Sequence, residues 1–321
     1  MVEINEGIRV SKAERCFLCG GEGDVLYRDM RDRLFDAPGK WSIRRCKDSS
    51  CGLLYLDPVP LEEDTGILYP GSYYTHAQPE LSRWMRLSRA IKRNSTIGRF
   101  FWSSMYHQGA KKGRLLDVGA GSGLYLSHMR ELGWEVEGVD FDCAAAKCAS
   151  ESFGLKVSVG TLEEVKYRAD IFDAVTANHV IEHVHDPVKF LEEIKRILRP
   201  GGSLVVTCPN SRSLGHRIFK GDYVHLDPPR HLYSFSRKNV RAIAEKAGLK
   251  VNSVRSIISG PRQIYLQGIE IKRTGKSPPN YRPPSRYLRV KSLFFALYEC
   301  LMLAVDKDAG EELVLVAVKE R

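Results

Sequence analysis

From Arg114 onward, short apolar runs alternate with stretches whose apolar residues recur at helical spacing. The runs at 114–118, 135–140, 155–159, 171–177, 203–208, 249–257 and 312–318 predict strands. The intervals 122–132, 143–153, 187–198 and 236–247 predict helices, with Pro200-Gly201-Gly202 stopping one and Ser236 capping another. Strands and helices in alternation predict an α/β fold, an open doubly wound sheet of seven strands. In such sheets ligands sit beyond the carboxyl ends of the strands.

Outside this region the pattern changes. Residues 1–57 carry two cysteine pairs and little periodicity, and are expected to form a small zinc-ribbon-like segment. Residues 58–112 are expected to be a helical linker or lid that includes the tyrosine-rich run 69–74. The main domain is expected over 113–321, with substrate-side insertions at about 209–235 and 259–310.

The cysteines sharpen the N-terminal reading. Cys16 and Cys19 are two residues apart, and Cys46 and Cys51 four apart, within the range of structural zinc sites. A short segment lacks core area, so four thiolates around zinc would supply its folding energy. Cys143, Cys148, Cys208 and Cys300 fall within predicted core elements and read as small buried hydrophobes. The opening residues are charged and lack the apolar run of a secretory signal, so a reducing cytoplasmic setting is expected.

The net charge of +10 is concentrated in two stretches without acidic residues, 81–112 and 272–291. They are either solvated helix faces or a surface for an anionic partner, whether substrate phosphate, membrane or nucleic acid. Leu293 to Val305 is nearly all apolar but too short to span a bilayer. It either packs in a core or against a subunit, or lies peripherally on an anionic membrane.

Candidate chemistry centres on Asp117-Val118-Gly119-Ala120-Gly121-Ser122-Gly123, which follows a predicted strand and opens a helix. Glycines allow a sharp turn and close approach of a ligand to the backbone. Asp140 ends the next strand, where a carboxylate can accept hydrogen bonds from ribose hydroxyls. Asp117 disfavours pyrophosphate and suits a cationic ligand.

These motifs, together with VEGVD and FDAVTANHVIEHVHDPVKFLEEIKRILRPGGSLVVTCPN, resemble class I S-adenosylmethionine-dependent methyltransferases of the ubiquinone-biosynthesis and sugar-methyltransferase type. The resemblance covers about 113–258 plus the closing strand, and implies a Rossmann-like fold with S-adenosylmethionine as cofactor. It implies that Asp117, Gly119, Gly121 and Gly123 border the methionine part. By the same likeness Asp140 holds the ribose, Phe141 lies beside the adenine, Leu162 borders the ring edge, and Asn178 lies near the methyl donor. Thr161 stands where many relatives carry an acid.

Methyl transfer rests mainly on alignment, and an oxygen acceptor also needs a base. His183 and His231 are the candidate bases. The run His179-Val180-Ile181-Glu182-His183 matches H-x-x-E-H, but a strand precedes it and Asp186-Pro187 follows, which excludes the single long helix of an inverted zinc protease. It is similar to the E-x-x-E-H run of ubiquinone-pathway O-methyltransferases, which is linked to divalent metal. Around His231 the segment is similar to a Y-x-E-H run of zinc-containing sugar C-methyltransferases, with Pro228 and Arg230 replacing tyrosine and glutamate. Asp227-Pro228-Pro229 lacks the following aromatic residue of DNA amino-methyltransferases.

The expected acceptor is therefore a sugar or glycan-type small molecule, phosphate-bearing or lipid-linked, methylated on oxygen in preference to carbon. An RNA acceptor is the alternative, supported by the charge and the cysteine pairs. A cofactor-binding scaffold without turnover is the third reading.

Overall fold

In the computed structural model, which describes residues 2–69, 112–278, 281–283 and 285–321, three sheets are present among the described residues. The basic stretch 81–112 lies outside them except for Lys112, as do Tyr73 and Tyr74.

The largest sheet contains β7 (Arg114–Val118), β8 (Glu135–Asp140), β9 (Val157–Val159), β10 (Phe172–Asn178), β11 (Leu198–Pro209), β13 (Lys250–Ile257) and β14 (Glu312–Val318). Its order is β13-β14-β11-β10-β7-β8-β9. β14 is antiparallel to both of its neighbours, whereas β11, β10, β7, β8 and β9 run parallel. The seven expected strands are all present, and the chain reverses its direction of travel across the sheet between β7 and β10. That switch leaves a crevice at the carboxyl edge.

The helices form where the sequence supplies caps. α1 (Leu124–Glu131), α2 (Cys143–Phe153) and the short α3 (Leu162–Val165) follow β7, β8 and β9. Asp142 caps α2 by accepting from the Ala144 and Ala145 amides, and Thr161 with Glu164 forms a capping box on α3. α4 (Pro187–Ile197) starts with Asp186 as cap and proline in its first turn. It buries Phe190, Leu191, Ile194 and Ile197, each worth about 1.5–3 kcal/mol when withdrawn from water. α5 (Leu214–Phe219), α6 (Arg237–Lys246), α7 (Pro261–Thr274) and α8 (Arg286–Val305) complete the set. Ser236 caps α6 as expected.

The N-terminal residues are richer in strands than their weak periodicity suggested. β1 (Val2–Asn5), β2 (Ile8–Ser11) and β6 (Val59–Pro60) form one small sheet, and β3 (Gly23–Met30), β4 (Trp41–Cys46) and β5 (Leu54–Asp57) another. The second sheet is extended by β12 (Tyr233–Ser234), which pairs with β5. One buried cluster joins Cys16, Cys46, Cys51, Leu53 and Tyr55 to Phe190, Phe235 and Val240. A second joins Ile8, Trp41 and Leu56 to Phe219, Leu226 and Ile264.

Two expectations need correction. Cys148 and Cys208 are buried, but Cys143 and Cys300 are exposed, because Cys143 opens α2 and Cys300 faces outward on α8. The apolar run Leu293–Val305 is not a core helix: α8 buries only Ser292, Phe295 and Glu299.

Candidate functional site

The glycine loop leaves β7 at the crevice. Gly119, Gly121 and Gly123 have φ of 74°, 51° and 77°, the left-handed region that glycine enters without strain. Their surroundings differ. A Cβ on Gly119 would lie 2.5 Å from Val180 Cγ2, and one on Gly123 would strike Ala149 and Leu155 at 2.7 Å. Among the described residues a Cβ on Gly121 would meet nothing within 4 Å, so this glycine faces away from them at the carboxyl edge.

Two carboxylates flank the loop. Asp140 Oδ2 accepts from the Gly121 amide at 2.7 Å and Oδ1 from the Asp142 amide at 2.9 Å, which fixes its orientation. Asp117 is buried, and Thr176 Oγ1 donates to its Oδ1 at 2.6 Å. Burial pushes Asp117 up to about 8, with the Asp140 charge adding to the shift. A buried carboxyl that resists ionisation is a receptor for a cation, which would restore its charge.

The remaining expected contacts ring the same edge. Phe141, 52% exposed, meets the Tyr69 ring edge-on with centroids 5.2 Å apart. Leu162 is buried at the start of α3. Asn178 is exposed at the end of β10, where Thr207 Oγ1 donates to its side-chain oxygen. His179 follows with φ of 53°, a conformation costly for a non-glycine residue and characteristic of functional loops.

Beyond Asn178 four histidines surround Glu182. His179 points Nδ1 at Glu182 Oε1 (3.0 Å) and Nε2 at Glu312 Oε1 (3.2 Å). Burial opposes its charging, but the two carboxylates prevail and hold it well above the usual imidazole value. Both His179 nitrogens thus face a carboxylate, an arrangement that favours the imidazolium.

His183 and His231 are the opposite case. His183 Nδ1 lies 3.0 Å from the Arg230 carbonyl, and the Tyr69 hydroxyl is 3.0 Å from the same nitrogen. His231 Nδ1 lies 2.8 Å from the His225 carbonyl. A carbonyl only accepts, so Nδ1 carries the proton in each ring and Nε2 keeps its lone pair. Burial lowers both imidazoles, His231 strongly, so both are neutral near pH 7. Their rings meet edge to face at 4.7 Å.

Glu182 lies between them, fully buried, and its Oε2 has no hydrogen-bond partner among the described residues. Burial would raise its carboxyl, but His179 outweighs that and brings it down to about 2. Ligand atoms of Glu182, His183 and His231 all fall within 4.8 Å of one another. An ionised oxygen without a partner beside two lone pairs is a donor set that fits a divalent cation.

The cysteine pairs also converge. Cys16 and Cys51 sulfurs are 3.7 Å apart, and those of Cys19 and Cys46 3.4 Å. All four sulfurs lie within 4.8 Å of one another. A zinc tetrathiolate with bonds of about 2.3 Å has tetrahedral edges of about 3.8 Å, close to this spacing. The cluster is tied to the main sheet's helices, since Asn239 Nδ2 on α6 donates to the Cys51 carbonyl at 2.8 Å.

Several site residues gave no sequence signal. Arg230 is fully buried, its guanidinium paired with Asp32 at 2.7 Å and with Asp227 at 2.5 Å, and stacked over Phe35. Its carbonyl sets the His183 tautomer. Glu312, the first residue of β14, holds His179. His225 lies parallel to His179 at 6.3 Å.

Comparison with known proteins places the chain in a family. A family model described as a methyltransferase domain matches residues 85–254. The human mitochondrial ubiquinone biosynthesis O-methyltransferase is 34% identical over 168 residues, 47% of this chain and 45% of that protein. A ubiquinone biosynthesis O-methyltransferase of Cereibacter sphaeroides is 30% identical over 159 residues, 46% of this chain and 64% of that one. The chain thus matches roughly half the length of these curated relatives. Among solved structures, Haemonchus contortus phosphoethanolamine N-methyltransferase 2 in complex with S-adenosyl-L-methionine aligns with a TM-score of 0.50 and 17% identity, over 100% of this chain and 71% of that one.

Proposed function

The chain belongs to the methyltransferase-domain family; on that footing we propose that it is an S-adenosylmethionine-dependent methyltransferase that methylates an oxygen of a sugar or glycan-type small molecule. The observation that carries the proposal is the pair of neutral imidazoles, His183 in the loop that follows Asn178 and His231 just before β12, each with Nδ1 turned to a backbone carbonyl and the Nε2 lone pair left as the basic site. Either nitrogen can take the hydroxyl proton as the oxygen attacks the sulfonium methyl. The curated relatives' names, as O-methyltransferases, support oxygen as the atom.

In this reading the cofactor lies along the glycine loop. Asp140 accepts from the ribose, Asp117 faces the cationic end, and Phe141 and Leu162 border the adenine. The space at Gly121, clear of the described residues, supports that placement, because any side chain there would occupy it. Zinc at Cys16, Cys19, Cys46 and Cys51 is structural, and the sulfur spacing supports it.

The partnerless Glu182 Oε2 favours a second reading of the same groups. Glu182, His183 and His231 would hold a divalent cation, which would supply Lewis acidity to an acceptor hydroxyl. The chain's own contribution is then to fix both tautomers through the Arg230 and His225 carbonyls and to keep Glu182 ionised through His179.

One experiment tests these readings: a screen of sugar nucleotides, lipid-linked glycans and quinols, read by S-adenosylhomocysteine release and by product mass. The expected result is turnover on a hydroxylated glycan, with one added methyl group. Turnover confined to an RNA strand or an amine would overturn the acceptor, and cofactor binding without turnover on any acceptor would favour a scaffold. Metal analysis of purified protein separates the base from the cation: a second metal equivalent lost in Glu182→Gln favours the cation.

A further inference from the structure

Helix α8 packs through one narrow side. Ser292, Phe295 and Glu299 are buried, and Phe295 meets the rings of Tyr265 and Phe219 at 5.3 and 6.4 Å. The opposite side is apolar and open to solvent. Phe294 is 66% exposed, Leu301 62% and Val305 81%, with Val290, Leu293 and Leu297 between them. At about 3.6 residues per turn these side chains form one continuous arc of about 120° along the helix. Scattered exposed apolar residues need no explanation, but an unbroken stripe over a helix of 20 residues marks a contact surface.

The charges around the stripe identify what it contacts. Arg289 and Lys291 lie on its two margins and Arg286 begins the helix, all three exposed. The only acid in α8 is Glu299, which is buried on the packed side. No acid stands in the first turn, where the helix dipole favours anions and disfavours cations. Cations placed against that dipole serve an anion outside the helix. Residues 81–112 of this chain are basic and acid-free, and so offer these cations no acidic partner. A second copy of α8 would bring the same cations. Among the described residues no helix is long and apolar enough to cross a membrane.

We infer that α8 is a docking helix that lies in the plane of a lipid surface bearing anionic headgroups, with its apolar arc in the acyl boundary and Arg286, Arg289 and Lys291 on the phosphates. The placement has a use. α7 and α8 leave the sheet after β13 and return at β14, on the carboxyl edge where Glu312 meets His179. Docking would therefore hold at the lipid a helix joined to the same sheet edge as the His179 loop.

Vesicle flotation of the full chain tests this, with phosphatidylcholine alone and with phosphatidylcholine containing phosphatidylglycerol. The expected result is flotation with the anionic vesicles, at least tenfold weaker binding to the neutral ones, and weakening with salt. Phe294→Ser with Leu301→Ser should lower binding at least tenfold while S-adenosylmethionine affinity stays unchanged. Arg289→Glu with Lys291→Glu should erase the preference for anionic vesicles. Absence of flotation with anionic vesicles, or variants that float like the parent, would overturn the inference. So would a dimer in light scattering that becomes a monomer in the Phe294→Ser, Leu301→Ser variant, since a second copy would then cover the face.

Discussion

With the cofactor's cationic end beside Asp117, as proposed, its uptake should depend on pH. Its carboxyl is raised from an ordinary 3.8 to about 8, so the unliganded protein holds a proton there at neutral pH. A cation settling beside it favours the carboxylate, so binding near pH 7 should release up to one proton and tighten as pH rises towards 8. Calorimetry in buffers of different ionisation enthalpy measures this directly, and Asp117→Asn should abolish the release. The sign for stability is opposite: between 3.8 and about 8 the unfolded chain loses this proton first, so Asp117 costs stability as pH rises through that window. Arg230 carries a second prediction. With its guanidinium fully buried between Asp32 and Asp227, Arg230→Met leaves two buried carboxylates without their cation. A loss of about 3–5 kcal/mol is expected in denaturant unfolding. Asp32→Leu added to Arg230→Met should recover part of it. None of this was legible in the sequence, because Arg230 and Asp32 are 198 residues apart and no local pattern joins them.

At the scale of elements the sequence was most legible where periodicity and caps agree. The strands from β7 to β11, and the capped helices α2, α4 and α6, follow from alternating apolar runs, Asp186-Pro187 and Ser236. α7, within the expected insertion at 259–310, carries Gly268 at its middle. In the structure a Cβ there would lie 2.6 Å from the Phe219 ring, so the glycine permits close packing of α7 on α5. The N-terminal strands escaped notice because they are short and β5 takes its partner β12 from residues 233–234. β14 leads to a test. Glu312→Gln removes one of the two carboxylates holding His179 charged, so the His179 imidazole should titrate at lower pH by NMR. Turnover should fall in parallel, since Glu182 then loses the full imidazolium that keeps it ionised.

For the whole molecule, the shared cores matter more than the segment boundaries. Cys16, Cys46 and Cys51 are buried in one cluster with Phe190, Ile243 and Leu315, so the cysteine knuckle and the large sheet lose packing together. Thermal unfolding should be a single transition. Purified protein should contain one zinc per chain held by the cysteines, and Cys46→Ser or chelation should lower that single midpoint rather than create a second one. The cysteine spacing announced this centre, but its stitching to α6 through Asn239 was invisible until the chain was folded.

The ion pair between His179 and Glu312 joins residues 133 positions apart, and β14 is wedged between two strands that precede it in the chain. During synthesis the histidine loop therefore emerges from the ribosome long before the carboxylate that completes it. Up to that point β11 and β13 have an open slot between them, a sticky edge that invites chaperones or aggregation. Acquiring β14 is thus one event that fills the slot and brings a carboxylate to the His179 imidazole.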